Sequence, residues 1–141
     1  MPIIEGTYKL KKNENLTGVL AAQGLGMMAR NMVNKQDQTY SVKYDADAKK
    51  ITQTVVGKKT NVAEYIVDGP PLEKEAAGGR GILLDSVTLS DNGYILKREE
   101  KSGEYVAVNE FVFEDGKMTI LLKTTPKGGK PVEGKRYFEK V

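Results

Sequence analysis

The sequence contains no cysteine, no histidine and no tryptophan. Without cysteine the chain can form no disulfide, no thiol nucleophile and no thiolate metal site. Without histidine it lacks the commonest general base and the commonest ligand of transition metals. We therefore expect neither a cofactor nor a bound metal, and chemistry that depends on these two residue types is excluded.

Long apolar runs are missing as well. No window approaches the roughly 18 consecutive apolar residues of a membrane-spanning helix, and no positively charged start followed by an apolar run marks a signal peptide. Hydrophobic residues make up 39% and charged residues 29% of the 141 residues, as in ordinary globular proteins. We expect a single domain over residues 1–141, monomeric and cytoplasmic.

The charge pattern argues against two classes of function. The net charge is a mild +3, and the aromatic residues do not alternate with basic ones along one face, so we expect no nucleic-acid partner. Carboxylates are plentiful, but no pair has a spacing that suits general acid–base catalysis, and we expect no enzyme. The basic residues near the N-terminus form either a weakly basic rim for transient contact with anionic membranes or a solvated face: Lys11, Lys12, Arg30 and Lys35.

Two short helices are predicted near the N-terminus, after a strand over residues 6–10. The first begins near residues 13–15 and carries apolar residues at helical spacing, with Leu16 and Leu20 on one face. Gly24-Leu25-Gly26 ends it, and a second helix follows with Met28 and Met32 on its apolar side. Helices this short are marginal alone in water, so we expect them to lie as a lid on a larger structure.

The rest of the chain predicts short strands separated by turn signals. The strands cover residues 39–44, 51–56, 62–67, 82–89, 94–98, 105–113, 118–123 and 134–141. Turns at such regular spacing, with no further helix, indicate an antiparallel all-β fold, either a closed barrel or a sandwich.

Four segments, in order along the chain, carry a resemblance to a known family. They are Glu5–Leu10 with Glu14-Asn15-Leu16, then Gly24–Arg30, then Ala77-Gly78-Gly79-Arg80, and finally Lys135–Val141. Together they resemble the intracellular lipid-binding proteins, which include the fatty-acid-binding and cellular retinoid-binding proteins. The resemblance implies an antiparallel clamshell β-barrel of about ten strands, with a helix-turn-helix lid between the first two strands and a ligand cavity inside.

The resemblance also implies how a ligand is held. Arg136, which elsewhere in a strand would be exposed or salt-bridged, would point inward and bind the carboxylate of the ligand. Phe138, on the same face, stands where the family usually has a tyrosine that assists. Phe111 stands where a second arginine is common, which leaves one anchoring cation. Arg80 could reach the cavity from its turn.

Other residues have two possible roles at this stage. Leu16, Leu20, Met28 and Met32 either make contacts between lid and barrel or line the cavity, since both use the same residue types. The charged run Lys97-Arg98-Glu99 belongs either to an internal ion-pair network or to a solvent-facing stripe.

We therefore expect a non-catalytic carrier of long-chain fatty acids, with the carboxylate anchored by Arg136. The alternative is a carrier of a retinoid or another neutral apolar lipid, which Phe138 and Phe111 favour because neither ring can donate a hydrogen bond to a head group.

Overall fold

The computed structural model describes residues 3–76 and 81–141. Within them the elements follow in this order: β1 (Gly6–Glu14), α1 (Leu16–Ala22), α2 (Met27–Lys35), β2 (Thr39–Asp45), β3 (Lys50–Val56), β4 (Thr60–Ile66), β5 (Leu72–Glu75), β6 (Ile82–Ser90), β7 (Gly93–Glu100), β8 (Tyr105–Glu114), β9 (Lys117–Pro126) and β10 (Val132–Lys140).

The ten strands form one antiparallel sheet in the order β4-β3-β2-β1-β10-β9-β8-β7-β6-β5. This sheet curls into a nearly closed barrel, and the two helices lie between the first two strands. On the far side of the barrel, the residues that follow β4 meet β6: Val67 forms a parallel bridge with Val87, and the N–H of Asp68 donates to the carbonyl of Val87 over 2.8 Å. The predicted fold class is confirmed.

Two departures from the predicted strands have a clear physical reason. β1 continues to Glu14, four residues beyond its predicted end, because a register shift between Leu10 and Lys12 absorbs an extra residue and lets pairing with β10 go on. β5 was not predicted, since two prolines immediately precede it. It pairs with β6 at the edge of the sheet, where a preceding proline costs no ladder hydrogen bond.

The hydrophobic core combines aliphatic side chains with a cluster of aromatic rings. The rings of Tyr94 and Phe111 stack with centroids 4.4 Å apart, and those of Tyr8 and Phe113 meet edge to face at 5.6 Å. The first helix closes over this cluster, because Leu16 is only 4% exposed and Leu20 packs against the core from a partly buried position. Both leucines therefore make the contact between lid and barrel that was one of their two predicted roles.

The second helix does not behave as predicted. Met28 is 82% exposed and Met32 57% exposed, so neither packs on the barrel. α2 packs mainly on α1, and its partly buried side carries Val33 and Arg30, whose Nη1 donates to the carbonyl of Leu25 over 3.1 Å. The prediction failed because the periodic pattern fixes an apolar side of the helix but not the rotation with which the helix docks. Among the described residues, no helix has both the length and the apolar composition needed to cross a bilayer.

Candidate functional site

Arg136 is a buried cation with an unused hydrogen-bond donor. Its side chain points inward from β10 and is 6% exposed. Its Nε donates to Oδ1 of Asn13 over 2.9 Å, whereas Nη2 is buried and has no partner. Across the described residues, no carboxylate forms an ion pair with it. Burial lowers the pKa of Arg136, and Tyr40 opposes that shift in part. The guanidinium still remains charged at any physiological pH.

The register of two strands explains how this group comes to lie inside. Burial alternates along β10 so that Gly134, Arg136 and Phe138 share the inner face. Asn13, which lies opposite Arg136 on β1, supplies the amide oxygen. Sequence reasoning missed Asn13 in this role, because the pairing of two segments more than a hundred residues apart cannot be read from a local pattern.

One aromatic ring lies beside the guanidinium, and two further rings follow it in a series of ring contacts. Cζ of Arg136 lies 5.4 Å from the ring centroid of Phe138. Tyr40, another residue that the sequence did not single out, sets its ring 5.0 Å from Phe138 and 6.2 Å from Phe111. The structure thus brings Phe138 and Phe111 into the neighbourhood of Arg136, and the apolar surroundings strengthen any electrostatic contact made there.

A second charged cluster lies inside the barrel, centred on Asp85. Arg98 donates to both carboxylate oxygens over 2.8 Å, Nζ of Lys74 lies 3.3 Å from one of them, and Tyr65 donates its hydroxyl over 3.3 Å. Burial by itself would raise the pKa of Asp85, but its hydrogen bonds and the two positive charges hold that pKa below the ordinary value. Burial and the charge of Asp85 raise the pKa of Tyr65.

This cluster corrects the expectation of a single interior cation. It also decides between the two roles left open for Lys97-Arg98-Glu99. Arg98 faces inward to Asp85, whereas Lys97 and Glu99 are half exposed and pair with each other over 3.0 Å on the outer face. Strand alternation therefore divides the run between the two faces of the sheet.

A cavity of about 440 Å³ lies beside this cluster, within the range of small-molecule sites. Its lining includes Lys74, Arg98, Gln53 and Tyr40. Arg136 does not line it directly, but Tyr40 does, and the ring of Tyr40 packs on Phe138. A larger cleft of about 580 Å³ lies beside the end of α1. The carboxylate of Glu100 in its wall already accepts hydrogen bonds from Ser102 and Glu104.

The remaining predicted residues lie elsewhere. Arg80 falls outside the described residues. Met28 and Met32 are exposed on α2 and line none of the cavities described above. Lys11 and Lys12 each lie within 4 Å of an acidic residue, Glu139 at 3.6 Å and Glu14 at 3.7 Å. Acidic neighbours of this kind weaken a basic rim and suit a solvated face.

No protein-family model matches the sequence. The chain is similar to sodium/calcium exchanger regulatory protein 1 of Doryteuthis pealeii, with 28% identity over 120 residues that cover 85% of this chain and 86% of that protein.

Solved structures share the fold. A Tyr-to-Phe mutant of the REP1-NXSQ fatty acid transporter superposes with a TM-score of 0.81 at 23% identity, over 97% of each chain. Fatty-acid-binding protein 1 of Echinococcus granulosus gives a TM-score of 0.81 at 20% identity, over 100% of this chain and 99% of that one. These matches confirm the resemblance to the intracellular lipid-binding proteins at the level of fold.

Proposed function

We propose that this chain, which has the fold of the fatty-acid-binding proteins, is a non-catalytic carrier that encloses a long-chain fatty acid and binds its carboxylate through Arg136. The observation that carries the proposal is the buried guanidinium, whose Nη2 has no partner and whose charge no described carboxylate pairs. Names of relatives that include a fatty acid transporter and a fatty-acid-binding protein support it. We further propose that the carrier works as a cytoplasmic monomer.

The physical reason lies in the cost of burying a charge. An unpaired buried cation is unfavourable by several kcal/mol. An anionic ligand that pairs with Arg136 would remove this unfavourable free energy. A carboxylate suits the guanidinium because its two oxygens can accept parallel N–H donors. Asn13 already occupies Nε, whereas Nη2 has no partner and can donate to the ligand.

Affinity and orientation would come from different parts of the ligand. Burying each methylene yields ~0.8 kcal/mol, so a long acyl chain contributes on the order of 10 kcal/mol before the costs of ordering are subtracted. The charged hydrogen bond adds a few kcal/mol at most, partly offset by desolvation. The tail would supply most of the affinity, and Arg136 would select for an acidic head group.

A second candidate is a carrier of a neutral apolar lipid such as a retinoid. It is favoured by the aromatic surroundings of Arg136, where Phe138 and Phe111 offer flat apolar surface and no hydroxyl to hold an acid. In this case Arg136 would lie beside the ligand without pairing with it.

Binding measurements with matched ligands separate the two candidates. Hexadecanoic acid and its methyl ester would be titrated into the wild-type protein, the variant Arg136→Met and the control Lys135→Met, which removes an exposed lysine next to Arg136. We expect Arg136→Met to weaken acid binding by roughly tenfold or more and to spare the ester, because only the acid uses the guanidinium. Equal losses for both ligands, or none, would contradict the proposal.

Lipid recovered from the natural source gives an independent check. Native mass spectrometry followed by organic extraction should show a fatty acid leaving the protein chemically unchanged. An extracted neutral lipid would favour the second candidate instead.

A further inference from the structure

The cluster around Asp85 holds one more positive charge than negative charge. Arg98 and Lys74 are two cations, and both lie against the single carboxylate of Asp85, whose side chain is 0% exposed. Glu73 and Glu75 also border the cavity, but they alternate with Lys74 along β5 and are exposed. Glu73 in addition lies 3.2 Å from Nζ of Lys101. Neither therefore neutralises the interior charge.

Lys74 is the member of this cluster with spare binding capacity. Arg98 is committed to Asp85, since both its Nε and its Nη2 donate to that carboxylate. Lys74 meets the same carboxylate through one contact of 3.3 Å, and its side chain is 37% exposed. An ammonium group has three donors, so Lys74 can donate to a second carboxylate while it keeps its contact with Asp85. Burial and the nearby Arg98 lower the pKa of Lys74, while Asp85 raises it. A further anion beside Lys74 would also raise that pKa and so favour the charged ammonium.

Arg136 and the pair of Lys74 and Arg98 are separate cation positions, because Arg136 does not line the cavity that the other two residues line. The register places Arg136 opposite Ile120, then Phe111, then Tyr94, three strands away on β7. Arg98 lies four residues farther along β7. Measured along the curved sheet, Arg98 therefore lies ~14 Å across the strands and ~13 Å along them from Arg136. The cavity that Lys74 and Arg98 line reaches Tyr40, whose ring packs on Phe138 beside Arg136.

We infer that Lys74, supported by Arg98, forms a second acid-binding position, and that the ligand class using both positions is a long-chain dicarboxylic acid with one carboxylate at Arg136 and the other at Lys74. This inference rests on the proposed function, because it assumes a carboxylate at Arg136. It deepens that function by naming a substrate class that a single anchoring cation would not select.

The test compares a diacid with a monoacid in variants that keep the fold. Lys74→Met is suitable because Asp85 stays neutralised by Arg98, whereas removing Arg98 would leave Asp85 without its main partner. Lys101→Met is the matched control, since it removes an ion-paired lysine from the outer face next to Glu73. Hexadecanedioic and hexadecanoic acid would be titrated by calorimetry into the wild type and both variants, with stoichiometry checked by native mass spectrometry.

We expect the wild type to bind one diacid per chain. Lys74→Met should weaken diacid binding by roughly tenfold, the effect of losing one charged hydrogen bond, and leave monoacid binding unchanged. Lys101→Met should change neither. An equal loss of both ligands in Lys74→Met, or no loss of the diacid, would overturn the inference while leaving the proposed function standing.

Two further outcomes are distinguishable. If two monoacids bind per chain and Lys74→Met removes one, the position at Lys74 exists but its occupant is a second monoacid, which overturns the diacid as the ligand class. If the wild-type protein binds neither acid, the proposed function fails, and the inference fails with it.

Discussion

Arg136 is oriented by Asn13 without being neutralised by it. The guanidinium Nε lies 2.9 Å from Oδ1 of the amide on the neighbouring strand, and an amide oxygen accepts a hydrogen bond but carries no net charge. A carboxylate in the same place would have satisfied the arginine internally. The choice of amide therefore keeps a positive charge available inside the barrel.

Replacing Asn13 with aspartate should convert this contact into an internal ion pair. We expect Asn13→Asp to weaken fatty-acid binding by roughly tenfold or more, because the new carboxylate competes with the ligand for the guanidinium. Binding of the fatty-acid methyl ester should not change. Isothermal titration with both ligands measures the difference, and unchanged acid affinity would show that the carboxylate does not bind at Arg136.

Removing the buried charge should stabilise the ligand-free protein. We expect Arg136→Met to raise the free energy of unfolding by about 1–3 kcal/mol, since a side chain of comparable length replaces an unpaired buried cation. Urea unfolding of lipid-stripped protein provides the measurement. The neighbouring exposed substitution Lys135→Met should stay within about 0.5 kcal/mol of the wild type. A destabilised Arg136→Met protein would mean that the guanidinium is paired in solution.

Asp85 should link stability to acid pH. Its folded-state pKa lies below the ordinary value of 3.8 because Arg98 and Lys74 outweigh the effect of burial. A carboxyl with a lowered pKa contributes stability that is fully present above its unfolded pKa and is lost as the pH falls through its folded pKa. We expect Asp85→Asn to lower the free energy of unfolding by about 3–5 kcal/mol near pH 7, because Arg98 and Lys74 then lack their buried counter-ion.

The pH dependence of that cost is the sharper check. The difference in unfolding free energy between the wild type and Asp85→Asn should be constant above about pH 5 and should shrink once the pH falls below 3.8. Unfolding in urea between pH 2.5 and pH 7 would follow it. Asp91→Asn, an exposed substitution in the turn between β6 and β7, should show no such cost at neutral pH.

The two helices should differ in their contribution to stability. Leu16 is buried in the core, and Leu16→Ala should cost about 2–5 kcal/mol through lost packing and the cavity that it leaves. The exposed double substitution of Met28 and Met32 by glutamine should stay within about 1 kcal/mol of the wild type. Thermal unfolding of both variants tests this. A large loss in the double variant would place α2 against the barrel after all.

The local pattern carried most of the architecture. Alternation and turn signals placed nine of the ten strands described in the structure, and helical spacing placed both helices. Such signals are readable because a strand or helix must repeat its apolar residues with the period of its own backbone. β5 was not predicted because it has only four residues and directly follows two prolines, and four residues are too few to show an alternating pattern.

Only those residues of the site that the family resemblance implied could be predicted from the sequence. The resemblance implied that Arg136 faces inward with Phe138 beside it, and the burial of both side chains agrees with that orientation. It could not supply Asn13, Tyr40 or the partners of Arg98, since these contacts join segments that are distant along the chain.

The sequence by itself determined the order of strands and turns, the absence of cysteine and histidine chemistry, and the placement of Arg136 and Phe138 on one face of the last strand. The tertiary structure alone decided which charges meet inside: Asp85 with Arg98 and Lys74, and no described carboxylate with Arg136. The physical reason is that periodicity is a local property of the backbone, whereas the neutralisation of a buried charge depends on the register of strands far apart in the chain.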